Sequence, residues 1–205
     1  MKLILASASP RRAALLSQAG YEFVVHASNF DEAAQLEKIL PRKLAGFLAT
    51  GKARDVAARF PEDVILAADT VIAFGDTPLG KPHDANDARD MIRLLGGATH
   101  VVITGVAVHC LARKIELEET AMSAVRMMPL CASELDRYVA SERWRGKAGG
   151  YGIQDAESIV TCVGGSVSNV VGLPMSLTRR LLAQAGVVPG RSDNGLAGHG
   201  GGPSV

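Results

Sequence analysis

His100-Val101-Val102-Ile103-Thr104-Gly105-Val106-Ala107-Val108-His109 and Glu116-Leu117-Glu118-Glu119-Thr120-Ala121-Met122-Ser123-Ala124-Val125-Arg126-Met127 decide the fold. Both stretches are rich in β-branched and apolar residues, and a turn near Ala112-Arg113 separates them. Residues 119–126 alternate in part, as a half-exposed antiparallel sheet requires. Strands that pair directly in mid-chain do not belong to a purely doubly wound parallel sheet. Before them, strands and helices alternate. Leu3–Ala6 reads as a buried strand, Arg11–Ala19 as a helix stopped by Gly20, and Phe23–His26 as a second strand. Pro41–Arg59 is a long helix, with Leu44, Leu48, Ala49 and Ala53 at helical spacing. Val64–Ala68 is a strand running into Asp69-Thr70, and Val71–Phe74 stays extended up to a turn at Gly75-Asp76. Ala85–Leu95 is a helix ended by Gly96-Gly97.

Beyond the hairpin, Ser133–Val139 reads as a helix with Ser133 as its cap, and Gly146–Gly152 as a glycine-dense loop. Ile159–Val163 and Val167–Val171 read as strands, and Leu177–Ala185 as the last helix. The pattern predicts an α/β fold: a mixed, partly antiparallel twisted sheet flanked by helices around a central cleft. Residues 1–187 form one domain, and 188–205 read as a disordered Gly-rich tail because they contain almost no large side chain.

The composition narrows the function. The 205 residues are 47% hydrophobic and 4% aromatic, with a formal net charge of +1, so there is no global field for nucleic acid or an anionic membrane. Neither partner is expected. Cys110, Cys131 and Cys162 are odd in number and far apart, without a zinc spacing. They fit a reducing compartment. The N-terminus lacks the pattern of a signal peptide, and no apolar run is long enough to span a bilayer. A cytoplasmic protein is expected.

Anion binding must therefore come from local clusters. Ser9-Pro10-Arg11-Arg12 follows the first strand and opens a helix. Ser9 suits the N-cap and Pro10 the first helical position. The helix N-terminus offers unpaired N–H groups, and two guanidiniums add planar forks for phosphate oxygens. Capping alone does not explain two cations in a first turn, where the helix dipole disfavours them.

Asp69 sits at the end of Val64–Ala68, and open α/β sheets bind ligands outside the carboxyl ends of their strands. A carboxylate there can hold a metal or act as a general base. Asp31-Glu32 lies on a loop after the second strand and can help recruit a cation. Lys81 is held between Gly80 and Pro82, Lys52 lies on the long helix, and Lys147 lies in the glycine loop. Taken singly these lysines read as solvated. Taken with Arg11, Arg12 and the carboxylates they have the composition of a polyphosphate site. The chain contains no G-x-x-x-x-G-K-[ST] loop and no G-x-S-x-G elbow. His26, His83, His100, His109 and His199 are scattered.

Several blocks, in order, resemble the Maf family of nucleoside triphosphate pyrophosphatases. They are Leu5-Ala6-Ser7-Ala8-Ser9-Pro10-Arg11-Arg12, Ala68-Asp69-Thr70-Val71, Leu79-Gly80-Lys81-Pro82 and Thr104-Gly105-Val106. Lys147-Ala148-Gly149-Gly150-Tyr151-Gly152-Ile153-Gln154 and Asn169-Val170-Val171-Gly172-Leu173-Pro174 complete the set. The resemblance runs from Lys2 to about Ala185. It implies hydrolysis of a nucleoside triphosphate to the monophosphate and pyrophosphate with a divalent metal cation, Mg²⁺ or Mn²⁺. It further implies a fold like that of the house-cleaning purine pyrophosphatases, a homodimer, and a link to septum formation in dividing bacteria. Asp69-Thr70 and Tyr151-Gly152-Ile153-Gln154 resemble the branch acting on dTTP and UTP, as opposed to that acting on 7-methyl-GTP.

By that resemblance Asp69 is the proton acceptor and, with Glu32, a metal ligand. Arg11, Thr70 and Gln154 match positions of substrate choice. Ser9, Arg12, Lys52 and Lys81 match the phosphate site, to which Lys147 is added from its place in the glycine loop among the other cations. The chain departs from the family pattern at Glu142-Arg143-Trp144-Arg145-Gly146, where Glu-Pro and an aspartate are usual, and at Gly150. Trp144 and Arg145 are expected to reshape the base pocket. The competing class is a nucleotide-sensing regulator of cell division without turnover.

Overall fold

The structure is a computed structural model, and it describes residues 1–31 and 39–190. Glu32 and the tail beyond Gly190 therefore lie outside the described residues. The elements run β1 (Leu3–Leu5), α1 (Pro10–Gln18), β2 (Val24–Val25), α2 (Pro41–Arg59), β3 (Val64–Phe74), β4 (Thr77–Leu79) and α3 (Ala85–Leu95). They continue with β5 (Thr99–Cys110), β6 (Ile115–Met127), α4 (Ala132–Ala140), β7 (Val160–Gly164), α5 (Val167–Val171) and α6 (Met175–Gln184). A 3₁₀ turn at Ala148–Gly150 lies in the glycine loop.

The strands form one mixed seven-stranded sheet in the order β2-β1-β3-β5-β6-β7, with β4 paired to β3. β1 is parallel to β2 and to β3, while β5, β6 and β7 continue antiparallel from β3. The mixed sheet read from the β5–β6 hairpin is the sheet observed.

Successive residues of β1 and β3 serve opposite faces, as the pleat dictates. Leu3, Leu5, Val64 and Leu66 pack with Leu16, Leu181 and Leu182 under α1 and α6. Ile4, Ile65 and Ala67 pack with Ala49, Ala53 and Val56 of α2. A further core gathers Ile72, Leu79, Ile92, Leu95, Leu135, Tyr138, Trp144 and Tyr151 beneath α3, α4 and the glycine loop. The small residues of α2 let it lie close to the sheet. A Cβ on Gly105 would stand 2.3 Å from the Ala45 carbonyl oxygen, so β5 tolerates no side chain under this helix.

Four local readings need correction. β3 does not end at Ala68 but runs unbroken from Val64 to Phe74, with Asp69 opposite Gly105 and Thr70 opposite Thr104. The strand that ends beside Asp69 is β1, whose last paired residue, Leu5, is opposite Leu66. Residues 167–171 form a short helix, not a strand. Their valines suit a strand, but Ser166 Oγ accepts from the Asn169 N–H at 3.1 Å, and Gly172 closes the turn at φ 117°. The two end signals override the β-branched run.

α4 is capped at Cys131, whose N–H donates to the Glu134 carboxylate at 2.8 Å, and not at Ser133. Ser9 does occupy the N-cap position of α1, but its side chain makes no cap hydrogen bond. Among the described residues no helix is long and apolar enough to cross a membrane.

Candidate functional site

A cleft of about 750 Å³ opens where β1 ends and β3 continues. Nine of the ten residues singled out from the sequence line it: Ser9, Arg11 and Arg12 from the start of α1, Lys52 from α2, Asp69 and Thr70 from β3, and Lys81, Lys147 and Gln154 from loops. Glu32, the tenth, lies outside the described residues. Arg145, expected near the base pocket, also lines the cleft, and so does Asp155, which was not foreseen. Asp155 carried no signal of its own in the sequence. Its partner eight residues away, Lys147, was the available clue.

Asp69 and Thr70 are neighbours in a strand and so point to opposite faces of the sheet. Asp69 faces α2, where Lys52 Nζ donates to its Oδ1. Both side chains are nearly buried, at 12% and 10% exposure, so this pair is screened far less than a surface one. Among the described residues no donor reaches Asp69 Oδ2. Thr70 faces the other layer. Its Oγ1 accepts from Arg12 Nη2 at 3.1 Å and lies 3.0 Å from Thr104 Oγ1. Arg12 is further fixed by Nε to the Gly172 carbonyl at 2.7 Å and by Nη1 to Ser7 Oγ at 3.2 Å. These bonds tie the end of β1, β3 and the C-terminus of α5 together, so Arg12 braces the cleft as well as lining it.

The opposite wall is the glycine loop. Lys147 Nζ donates to both Asp155 carboxylate oxygens, at 2.6 and 2.7 Å. Tyr151 lies 5% exposed, its hydroxyl 2.5 Å from His100 Nε2. Burial pushes the Tyr151 phenol well up and the His100 imidazole down to about 4. His100 is thus neutral and anchors the loop to the start of β5. Arg11 Nη2 spans the cleft to the Gly146 carbonyl at 3.5 Å, at the limit of a hydrogen bond.

Trp144 does not enter the base pocket as expected. It is 2% exposed within the core, with Nε1 donating to the Val139 carbonyl at 3.0 Å. Arg145 alone of the variant pair faces the cleft, its guanidinium 4.7 Å from the Trp144 ring. Below the floor, Asp55 of α2 accepts from the Asn29 N–H and the Ser28 hydroxyl, both at 2.9 Å, and those bonds hold its carboxyl below the usual range.

Among the described residues the cleft gathers Arg11, Arg12, Lys52, Lys81, Arg145 and Lys147 against two carboxylates, Asp69 and Asp155. That balance suits a polyanion. No group of three or more metal-ligating side chains occurs among the described residues. Asp69 by itself fits the way Mg²⁺ is commonly held, by one or two carboxylates with substrate phosphate oxygens completing the shell.

A mixed-sheet α/β protein with a cation-walled cleft for a phosphorylated ligand is the class these features define. The family described as Maf-like protein matches residues 2–185, and the chain belongs to that family. A dTTP/UTP pyrophosphatase of Cereibacter sphaeroides is 46% identical over 189 residues, covering 91% of this chain and 96% of the relative. Proteins of the same name from Roseobacter denitrificans and Pyrococcus furiosus are 43% identical over 185 residues and 41% identical over 183. The alignments cover 89% and 88% of this chain and 96% and 94% of those relatives.

Proposed function

We propose that this chain hydrolyses dTTP and UTP to the monophosphate and pyrophosphate. The observation that carries the reading is Asp69, nearly buried, ion-paired to Lys52, and set among cations at the floor of the cleft. Arg11, Lys81 and Lys147 neutralise the phosphate chain, and Arg12 adds charge from a fixed position. The first turn of α1 lies on the same cleft, and Ser9 does not cap its N–H groups with its side chain. Asp69 Oδ2 takes a proton from the water that attacks the α-phosphorus, while Lys52 holds Oδ1 in place. Charge then builds on the departing pyrophosphate, where the lysines and arginines stabilise it. A bound Mg²⁺ or Mn²⁺ supplies Lewis-acid stabilisation of the phosphate oxygens and lowers the pKa of water. The names of the 41–46% identical relatives support the pyrimidine substrate.

A homodimer and a cytoplasmic site of action belong to the same proposal. The family resemblance supports the first, and the free Cys110, Cys131 and Cys162 are consistent with the second. Sedimentation at several concentrations tests the dimer.

The decisive test incubates the purified protein with each ribo- and deoxyribonucleoside triphosphate plus Mg²⁺ or Mn²⁺ and separates the products. Monophosphate and pyrophosphate from dTTP and UTP are expected. Orthophosphate would move the cleavage to another bond. Binding without turnover under either metal would make the protein a nucleotide sensor.

A further inference from the structure

After β2 the chain turns and runs back along α2, one residue after another. His26 packs on Phe60, with ring centroids 4.4 Å apart. The Ala27 carbonyl accepts from Arg59 Nη2 at 3.0 Å. Asp55 Oδ2 accepts from the Ser28 hydroxyl and the Asn29 N–H, both at 2.9 Å. The Phe30 ring covers Gly51, where a Cβ would stand 2.5 Å from it, and meets the Phe47 ring edge-on at 6.2 Å. The helix from Gly51 to Phe60 rises about 13 Å. Extended chain from residue 26 to residue 30 covers about 13 Å as well. The match explains how five successive residues can each meet α2, as a strap laid along it.

Asp55 and Arg59 tie the strap down. They form an i,i+4 ion pair at 3.0 Å, and such a pair on a helix surface is ordinary. That leaves unexplained why both partners also bond residues 27–29. The Ala27–Ser28 peptide supplies a reason. In a trans peptide the C=O and the following N–H point in opposite directions. With the Ala27 carbonyl held on Arg59, the Ser28 N–H is turned away from that side chain, and it meets no acceptor among the described residues. The Ser28 hydroxyl is engaged too, donating to Asp55 and accepting from the Phe30 N–H at 3.0 Å. Ala27 and Ser28 both line the cleft. The acceptors of this unit are thus bound elsewhere and its donor is open. Asp55 lies three residues from Lys52, which makes the two side chains neighbours on the helix, so the strap runs beside the Lys52–Asp69 pair.

We infer that Asp55 and Arg59 are positioning residues, which through the strap hold the Ser28 N–H as a donor to the phosphate chain of the nucleotide. The inference rests on the proposed triphosphate hydrolysis and deepens it, adding an uncharged main-chain contact to a site otherwise read from its cations. A contact of this kind is made alike in the bound substrate and in the transition state, so it shows in KM and not in kcat.

The experiment measures kcat and KM for UTP, and the Kd for inorganic pyrophosphate, in the wild type, Asp55→Ala, Asp55→Asn and Arg59→Met. Alanine frees Ser28 and Asn29 together; KM and the pyrophosphate Kd should both rise about tenfold, with kcat changed by less than about twofold. Asparagine keeps a carbonyl oxygen for the same two donors and should hold both constants within about threefold of the wild type. Arg59→Met keeps the apolar stem and frees the Ala27 carbonyl, and should raise both by about 3- to 10-fold. Arg59 is 40% exposed, so this variant carries the test should Asp55→Ala fail to fold. A merely structural role lowers the folded fraction, and with it kcat, while KM and Kd stay in place. That pattern in both Asp55→Ala and Arg59→Met overturns the inference. If the wild type binds pyrophosphate but hydrolyses no triphosphate, the proposed function fails, and the shifts in Kd still decide the inference. A wild type that neither hydrolyses a triphosphate nor binds pyrophosphate overturns both.

Discussion

Two lysine–aspartate pairs face each other across the cleft, and they are built in different ways. Lys52 and Asp69 come from a helix and a strand, and meet because α2 is pressed onto β5 at Gly105. Lys147 and Asp155 come from one loop and meet because eight residues of chain fold back. Their exposures are similar, 12% and 10% against 15% and 17%. Burial therefore does not separate them; scaffolding does. A pair on regular elements is held by the whole core and suits chemistry that demands fixed geometry. A pair within a loop can open to release its lysine to an arriving phosphate.

Breaking the first pair should have the largest effect. Asp69→Asn removes the proposed proton acceptor, and a loss of roughly 10²–10⁴-fold in kcat is expected, with pyrophosphate release as the readout. Near-normal turnover would remove Asp69 from that role. The next effect concerns the support of the second pair. His100 is neutral in the fold and titrates at about 4, whereas unfolded histidine titrates near 6.5. The unfolded chain thus binds more protons in this window. His100 leaves stability intact above about pH 6.5 and draws it down as pH falls toward 4, by on the order of 3 kcal/mol. Denaturant unfolding across that range should show the decline, and His100→Gln should flatten it.

Gly105→Ala tests what holds the first pair. The added Cβ meets the Ala45 backbone, so α2 must shift, at a cost of about 1–3 kcal/mol in unfolding free energy. Activity should fall alongside as Lys52 withdraws from Asp69. Asp155→Asn should matter least: Lys147 keeps its charge but loses its holder, and KM should rise by about 3- to 10-fold with kcat nearly unchanged. An equal fall in kcat would mean that the loop pair is as fixed as the other.

The same contrast governs what the sequence could tell. The long hairpin, α2 and α3 were legible because their periodicity runs over ten residues or more, and observed ends of α2 and α3 match the reading. Asp69 was found through a rule about strand ends, although the strand that ends there is β1 and not its own. The rule led to the cleft because an interruption in the sheet opens one, and either strand can supply it. Arg12 and Lys52 were legible as cations but not as braces, since Gly172 and Thr70 are 160 and 58 residues from Arg12. α5 was misread because five residues carry no period, and its identity rests on Ser166 and Gly172. Trp144 reads as a pocket residue from its neighbours, yet the Val139 carbonyl gives its indole N–H a buried partner that no local pattern announces. Asp155 went unseen because nothing in a lone loop carboxylate distinguishes a solvated one from a lysine's partner.

Between Leu66, the last β3 residue paired to β1, and Ile72, the first paired to β4, β3 has a strand on its β5 side only among the described residues. The sheet therefore has a gap in its main-chain ladder at its centre, and the cleft occupies it. Main-chain groups of Ala67–Val71 that turn away from β5 meet no strand among the described residues. In solution this small stretch should read as an island of fast amide exchange within one of the slowest strands of the molecule. A nucleotide bound as proposed acts as a temporary neighbour to the strand, so occupancy can be followed site by site through the slowing of those few amides, without any turnover at all.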